Sequence, residues 1–266
     1  MKIIEKLLFG VLVLTAANVT VAQDDSAAAL AKKAQNPIAS MISLPIQSNI
    51  DFDWGPNSDT FAVTNIQPVL PFKLNDNWNL VTRTILPIVS QPGLTAGQDR
   101  KWGTSDTVFT AFFVPTDSGE WTWGVGPVVH LPTTSNSRLG NDEWGAGISA
   151  VALTMPGKWV VGGLVSSFWG ISEDIGNEIS RFTFQPFVNY NLKNGLYLTS
   201  SPIITANWEA SSGQKWTVPI GGGVGKIFKI GSQALNAQAS YYYNLEKPDI
   251  TGDWSIRLQL QFMFPK

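Results

Sequence analysis

Few residues in this chain have the type and spacing to do chemistry. Its only histidine, His130, stands in the segment Val129-His-Leu-Pro132, and there is no cysteine. A histidine–serine hydrolase needs a serine beside the histidine and a third group that orients the ring. Leu131 and Pro132 follow the histidine instead. We therefore expect that the protein is not an enzyme.

Metal and cofactor sites are not indicated either. One histidine without cysteines cannot build a multi-histidine or thiolate metal site. The run Gly221-Gly-Gly-Val-Gly225 precedes neither a helix nor a Lys-Ser/Thr pair, so it is not a phosphate loop and is better explained by crowding or bending of a strand. We predict no cofactor. The net charge of −2 argues against a nucleic-acid partner.

Five charged side chains remain as candidates for a functional site. Asp51, Asp53, Arg83, Arg181 and Arg257 each fall on the polar side of a run that alternates with apolar residues. Such charges can form a ring that selects ions in a pore. They can equally hydrate and cross-brace a water-filled interior. The residues alone leave both interpretations open.

The elements that must position these charges are strands, and the run Trp254–Phe264 shows this best. All its even positions are apolar, its odd positions are polar, and only Met263 breaks the pattern. Because side chains alternate between the two faces of a strand, this strand has one oily and one polar face. Together with an export signal, that pattern predicts a transmembrane β-barrel with lipid outside and water inside.

The whole chain divides into about twelve such runs, an even number typical of bacterial single-chain barrels. We predict strands at 42–53, 60–73, 78–90, 105–115, 121–133, 143–155, 159–171, 179–192, 196–208, 215–228, 233–245 and 253–264. Each is long enough for the roughly 9–11 residues that a tilted strand needs to cross a bilayer. The fold class is therefore all-β, an up-and-down antiparallel barrel.

Three further features bear on this prediction. Tight turns alternate with connections that tend to be longer, as an up-and-down barrel with periplasmic turns and external loops requires. The 11 tryptophans lie beside these connections and not in mid-strand, which is typical of interfacial girdles. Prolines oppose the prediction, because Pro127, Pro186 and Pro202 fall inside strands, where each removes a ladder donor.

The N-terminus predicts export and a small accessory segment. Residues 1–22 have a basic head, an apolar core and a small residue at the end, as in a cleavable signal peptide. We expect residues 23–41 to form a periplasmic arm or a small lumen plug with a short helix, and disorder is the alternative. Residues 42–264 form the barrel. We expect the mature protein in the cell outer membrane of a Gram-negative bacterium.

Several segments resemble one large proteobacterial family. They are Ala34–Phe52, Asn65–Phe72, Thr84–Ile88 and Gly124–Thr134, the last with the sequence Gly-Val-Gly-Pro-Val-Val-His-Leu-Pro-Thr-Thr. The family is that of outer-membrane transporters of the phenol meta-degradation pathway type, some of which carry the label neuromedin U. The resemblance implies a barrel that admits hydrophobic or aromatic compounds, and it implies no catalytic or binding residues.

The expected partners follow from this picture. They are outer-membrane lipid, a small-molecule solute, and the barrel-assembly machinery, which reads the C-terminal strand. The chain departs from barrel proteins in general at one point. Pro265 and Lys266 follow Phe264, whereas the assembly signal usually ends on the aromatic residue.

Two functions remain open at this stage. The first is a narrow channel or transporter for small solutes, including hydrophobic or aromatic ones. The alternative is a non-conducting surface barrel with a structural or adhesive role. A hydrolase is a more distant third, and a soluble secreted β-sandwich is the alternative fold.

Overall fold

The computed structural model describes residues 24–95, 97–171 and 179–265. The expected leader, residues 1–22, lies outside them. One α-helix, α1 (Asp24–Ala34), precedes the strands. Within the described residues, no helix is both long and apolar enough to cross a membrane.

Strands account for most of the remaining chain. They are β1 (Ile42–Trp54), β2 (Asp59–Ile66), β3 (Val69–Lys73), β4 (Trp78–Gln91), β5 (Lys101–Thr104), β6 (Thr107–Pro115), β7 (Trp121–Leu131), β8 (Gly145–Thr154), β9 (Trp159–Gly170), β10 (Ser180–Asn191), β11 (Leu196–Ser200), β12 (Ile204–Asn207), β13 (Trp216–Ile230), β14 (Gln233–Glu246) and β15 (Trp254–Phe264). Short interruptions separate β2 from β3, β5 from β6 and β11 from β12. We count each of these pairs as one barrel strand, which gives twelve in the described part of the chain.

The twelve barrel strands form a closed antiparallel barrel. Each pairs with the next along the chain, and β1 closes the ring on β15, with Ile42 opposite Phe264 and Phe52 opposite Trp254. We call the end with the tight turns the turn end and the other the loop end. Both α1 and the last strand residue lie at the turn end. The predicted all-β, up-and-down barrel of about twelve strands is confirmed.

Prolines lie at two of the three interruptions of the barrel strands. Between β10 and the β11–β12 pair, residues 185–187 face 201–203 without ladder pairing, so Pro186 lies opposite Pro202. Pro68 occupies the interruption between β2 and β3. Proline has no backbone N–H and cannot donate a hydrogen bond to the neighbouring strand. The ladder of hydrogen bonds therefore stops at these positions.

The outer surface is an exposed apolar band between two sets of tryptophans. Mid-strand Ile148, Ile220 and Val224 all point outward and are at least half exposed. Trp121 and Trp159 lie exposed at the turn end, and Trp102, Trp144, Trp169 and Trp208 at the loop end. An apolar surface of this size is unfavourable in water and is matched by the hydrocarbon of a bilayer flanked by its interfaces.

The inner surface is not uniformly polar. At the turn end, an apolar cluster surrounds Ile38, which is 2% exposed. Its other members are inward side chains of β3, β4, β6, β8, β9 and β10. A second cluster joins Ala31, Ala39 and Met41 to Tyr197 and Met263. The polar inner face that the alternation predicts is therefore interrupted by apolar clusters at the turn end.

Candidate site in the barrel lumen

Three adjoining cavities run along the lumen from the loop end. The outer cavity, of about 630 Å³, is bordered by Asp106, His130, Phe168, Arg181 and Thr183. The middle cavity, of about 220 Å³, shares Phe168 and Thr183 with it. The inner cavity, of about 140 Å³, shares Gln47 and Gln185 with the middle one and ends against residues 34–37. The cavities thus form a path that the N-terminal residues interrupt.

Arg83 borders both the middle and the inner cavity. Its Nη2 donates a hydrogen bond to Oε1 of Gln67 at 2.6 Å. Gln67 lies in the interruption between β2 and β3, so the break in the wall supplies the acceptor that holds the guanidinium in place. This partner is neutral, and the positive charge of Arg83 is not cancelled by it.

Arg257 reaches the inner cavity and is 5% exposed. Its Nε donates to Oδ1 of Asn49 at 2.8 Å, and its Nη1 donates to the carbonyl oxygen of Ser201 at 2.6 Å. Its Cζ lies 4.7 Å from the centre of the Tyr242 ring, in a cation–π arrangement. Arg257 therefore links β1 and β15 to the interruption between β11 and β12.

Neither acidic candidate forms a salt bridge with this arginine, although Asp51 lies near enough to attract it electrostatically. The register of β1 and β15 places Asn49 opposite Arg257 and Asp51 opposite Ser255. Asp51 points inward on the same face as Asn49. Asp53 lies beyond a register irregularity, with a φ of 59°, and is exposed. Its Oδ2 accepts a hydrogen bond from Nε1 of Trp254 at 3.2 Å, so this carboxylate lies at the loop-end rim.

Arg181 faces the outer cavity from β10. No hydrogen bond or salt bridge of its guanidinium joins it to any residue in the described ranges. The structure thus distributes the three candidate arginines along the path, with Arg181 outermost. It does not gather them into one ring.

Asp106 organises the loop end, and sequence reasoning missed it. Its Oδ1 accepts hydrogen bonds from the backbone N–H groups of Thr133 and Thr134, at 3.2 and 3.1 Å. Its Oδ2 accepts from those of Asn141 and Asp142, at 2.6 and 3.2 Å. This one carboxylate therefore holds both ends of the loop 132–144 at the barrel mouth. Its place in the sequence, inside the predicted strand 105–115, gave no signal of this role.

His130 is held as a wall residue. Its Nδ1 donates to the carbonyl oxygen of Glu143 at 2.9 Å, and its ring stacks on Phe168 with centroids 5.2 Å apart. Its Nε2 lies 3.8 Å from Oδ2 of Asp106. No serine hydroxyl in the described part of the chain donates to this ring. The described residues also contain no group of three or more potential metal-ligating side chains.

The glycine run has a packing role at Gly225. A Cβ at this position would overlap the ring of Tyr197, a residue that is 1% exposed in the second apolar cluster. The Tyr197 hydroxyl donates to Oδ1 of Asn236 at 2.8 Å. Relief of crowding on the inner face, one of the two explanations that the sequence suggested, accounts for this glycine.

An outer face suited to lipid and a lumen that contains cavities define the class of the fold as an outer-membrane-type β-barrel. Comparison with solved structures agrees. The chain resembles an outer membrane channel from Pseudomonas putida F1 with a TM-score of 0.65 and 18% identity, over 86% of this chain and 96% of that one. At this identity the likeness establishes the fold alone.

Other similar structures are more distant. The CymD monoaromatic hydrocarbon channel has a TM-score of 0.46 at 8% identity, covering 94% of this chain and 95% of that one. Outer membrane phospholipase A from Escherichia coli has a TM-score of 0.41 at 13% identity, covering 85% and 96%. No protein-family model and no curated protein matches the chain.

Proposed function

We propose that the protein is an outer-membrane channel for small solutes, including hydrophobic or aromatic ones, that rests closed at its periplasmic turn end. The observation that carries this proposal is the path of three cavities, which starts at the loop end and stops at residues 34–37. The exposed apolar band and its tryptophans support a location in the outer membrane. Lipid then surrounds the band, and β15 serves as the strand read by the assembly machinery.

The N-terminal segment, residues 24–41, is the plug in this proposal. Few polar contacts hold it. Lys32 donates to the carbonyl oxygen of Met155 at 3.0 Å, and Gln35 and Asn191 exchange amide hydrogen bonds of 2.9 and 3.1 Å. Burial of Ile38 and Met41 contributes about 3–6 kcal/mol in total, at roughly 1.5–3 kcal/mol for each side chain. A closure of this strength is reversible.

The charges along the path favour anions in this proposal. Among the described residues, no carboxylate forms a salt bridge with Arg83, Arg181 or Arg257. Of the two acidic candidates only Asp51 points into the lumen, where it offsets part of the charge of Arg257. A charge in a narrow and poorly screened lumen acts on a passing ion more strongly than one at the surface. Asp53 acts at the entrance only.

One observation favours the alternative, a non-conducting surface barrel. At the turn end of the lumen, buried apolar side chains from six strands form a cluster with Ile38. If the N-terminal segment never leaves, the barrel carries nothing and its loops perform the function.

Recording in planar lipid bilayers separates the two functions. The mature protein should show a low conductance, and a variant that lacks residues 23–37 should show a much larger one. Folding of each preparation is checked by the mobility difference between heated and unheated samples on a gel. A folded deletion variant that conducts no better than the full chain would contradict the channel and leave the surface barrel.

A further inference from the structure

The outer cavity contains a cation that no carboxylate among the described residues pairs with. Arg181 points into it from β10, and its guanidinium forms no hydrogen bond or salt bridge with the described residues. Arg138 borders the same cavity and donates only to the carbonyl oxygens of Asp99 and Pro92, both at 3.2 Å. Its buried Nε has no partner in the described residues.

Two acidic groups near the cavity are already engaged. Four backbone N–H groups of the loop 132–144 surround the Asp106 carboxylate, which is 4% exposed. Glu143 is buried and has a partner of its own. Among the described residues that border the cavity, Arg138 and Arg181 therefore present positive charge to whatever enters it.

The same cavity has an apolar wall. Phe168, whose ring stacks on His130, borders it together with Val108, Leu139 and Ile179. Leu139 and Ile179 are both buried. At about 630 Å³ the cavity falls within the range of small-molecule sites, which is roughly 300–1,000 Å³.

We propose that the outer cavity is a binding site for a small carboxylate with a ring-sized apolar body. A guanidinium presents its N–H donors in the planar geometry that matches both oxygens of a carboxylate. A neutral hydrocarbon would leave Arg181 desolvated without a partner, and a small inorganic anion would leave the apolar wall unused. This inference rests on the proposed function, in which the outer cavity is the first place that a solute meets.

Calorimetric titration of the mature protein in detergent tests the site, because binding is measured there without transport. The probes are benzoate, benzyl alcohol, which has the ring without the charge, and acetate, which has the charge without the ring. Benzoate should bind at least about tenfold more tightly than either. Arg181→Gln should weaken benzoate binding by about tenfold or more, because hydrogen bonds to a charged partner are lost.

Two variants complete the test. Arg181→Lys should retain part of the affinity for benzoate, since lysine keeps the positive charge but lacks the planar pair of N–H donors of the guanidinium. Lys101→Gln removes an exposed positive charge at the loop end and should leave benzoate binding unchanged. Equal affinity for benzyl alcohol and benzoate, equal affinity for acetate, or undiminished binding by folded Arg181→Gln would each overturn the site. Benzoate binding by a barrel that never conducts would retain the site and refute only the channel.

Discussion

The two halves of the lumen are built from the same twelve barrel strands but hold different contents. At the turn end, inward side chains such as Val81, Phe112 and Leu153 pack against Ile38 of the N-terminal segment. At the loop end, polar and charged side chains surround an open cavity of about 630 Å³. The inner face of a barrel strand therefore changes character along its length. One barrel can in this way contain a closure at one end and a binding site at the other.

The largest effect is expected from a charge at the turn-end closure. Ile38→Asp places a carboxylate in an apolar cluster, where an unpaired charge is costly to bury. The N-terminal segment should leave the lumen and the bilayer conductance should approach that of the variant without residues 23–37. Ser40→Asp adds the same charge at an exposed position of the same segment and should change little. Equal conductance of the two variants would contradict the closure.

A charge on the lipid face should cost more than the same charge in the lumen. Leu258→Arg points outward near mid-strand, where the expected cost is about 2–4 kcal/mol. Gln259→Arg points into the inner cavity, opposite Gln47 and Gln238, and should be far better tolerated. The destabilisation of each variant is measured from its folded fraction across a series of urea concentrations, read from gel mobility. Equal destabilisation would mean that the two faces of β15 are wrongly assigned.

At the loop end, one carboxylate contributes four of the hydrogen bonds that hold the loop 132–144. Asp106→Asn keeps one carbonyl acceptor but loses the charge that four backbone N–H groups share, at an expected local cost of about 1–3 kcal/mol. Hydrogen exchange of residues 133–142 should accelerate while exchange in the strands stays slow. Asp117→Asn, at an exposed turn, should leave that loop protected. Unchanged exchange in Asp106→Asn would show that the loop is held by other contacts.

The smallest effect concerns ion preference. In the background without residues 23–37, Arg257→Glu should shift the reversal potential in a salt gradient toward cation preference by a modest factor. Arg257→Gln should shift it less. Lys73→Glu reverses an exposed charge at the turn end and serves as the control. The same reversal potential in all variants would exclude Arg257 from the conducting path.

Much of the wall could be predicted from the sequence, because strand periodicity and turn residues are local properties. The predicted run 253–264 differs from β15 by one residue at its start. The break between β11 and β12, opposite Pro186, could not be predicted from the sequence. Its position depends on which residues of β10 lie opposite those of β11 and β12.

The candidate site was less predictable. The inward direction of Arg83, Arg181 and Arg257 follows from alternation alone. Their partners do not, since the Asn49–Arg257 contact depends on the register at the closing seam. The role of Asp106 depends on a distant loop folding back to it. The apolar turn end depends on a segment that enters the lumen from outside the barrel, and no local pattern reveals that.

The most direct test of the central claim is to tether the N-terminal segment to the wall. The chain has no cysteine, so Gln35→Cys and Asn191→Cys would provide the only thiols at a pair whose amides are in contact. These are introduced with Ile38→Asp and joined by a short, reducible bifunctional reagent. In a planar bilayer the tethered barrel should remain at the low conductance of the native protein, and a reductant should raise the conductance to that of the variant without residues 23–37. The same conductance before and after reduction would contradict the claim that this segment closes the lumen.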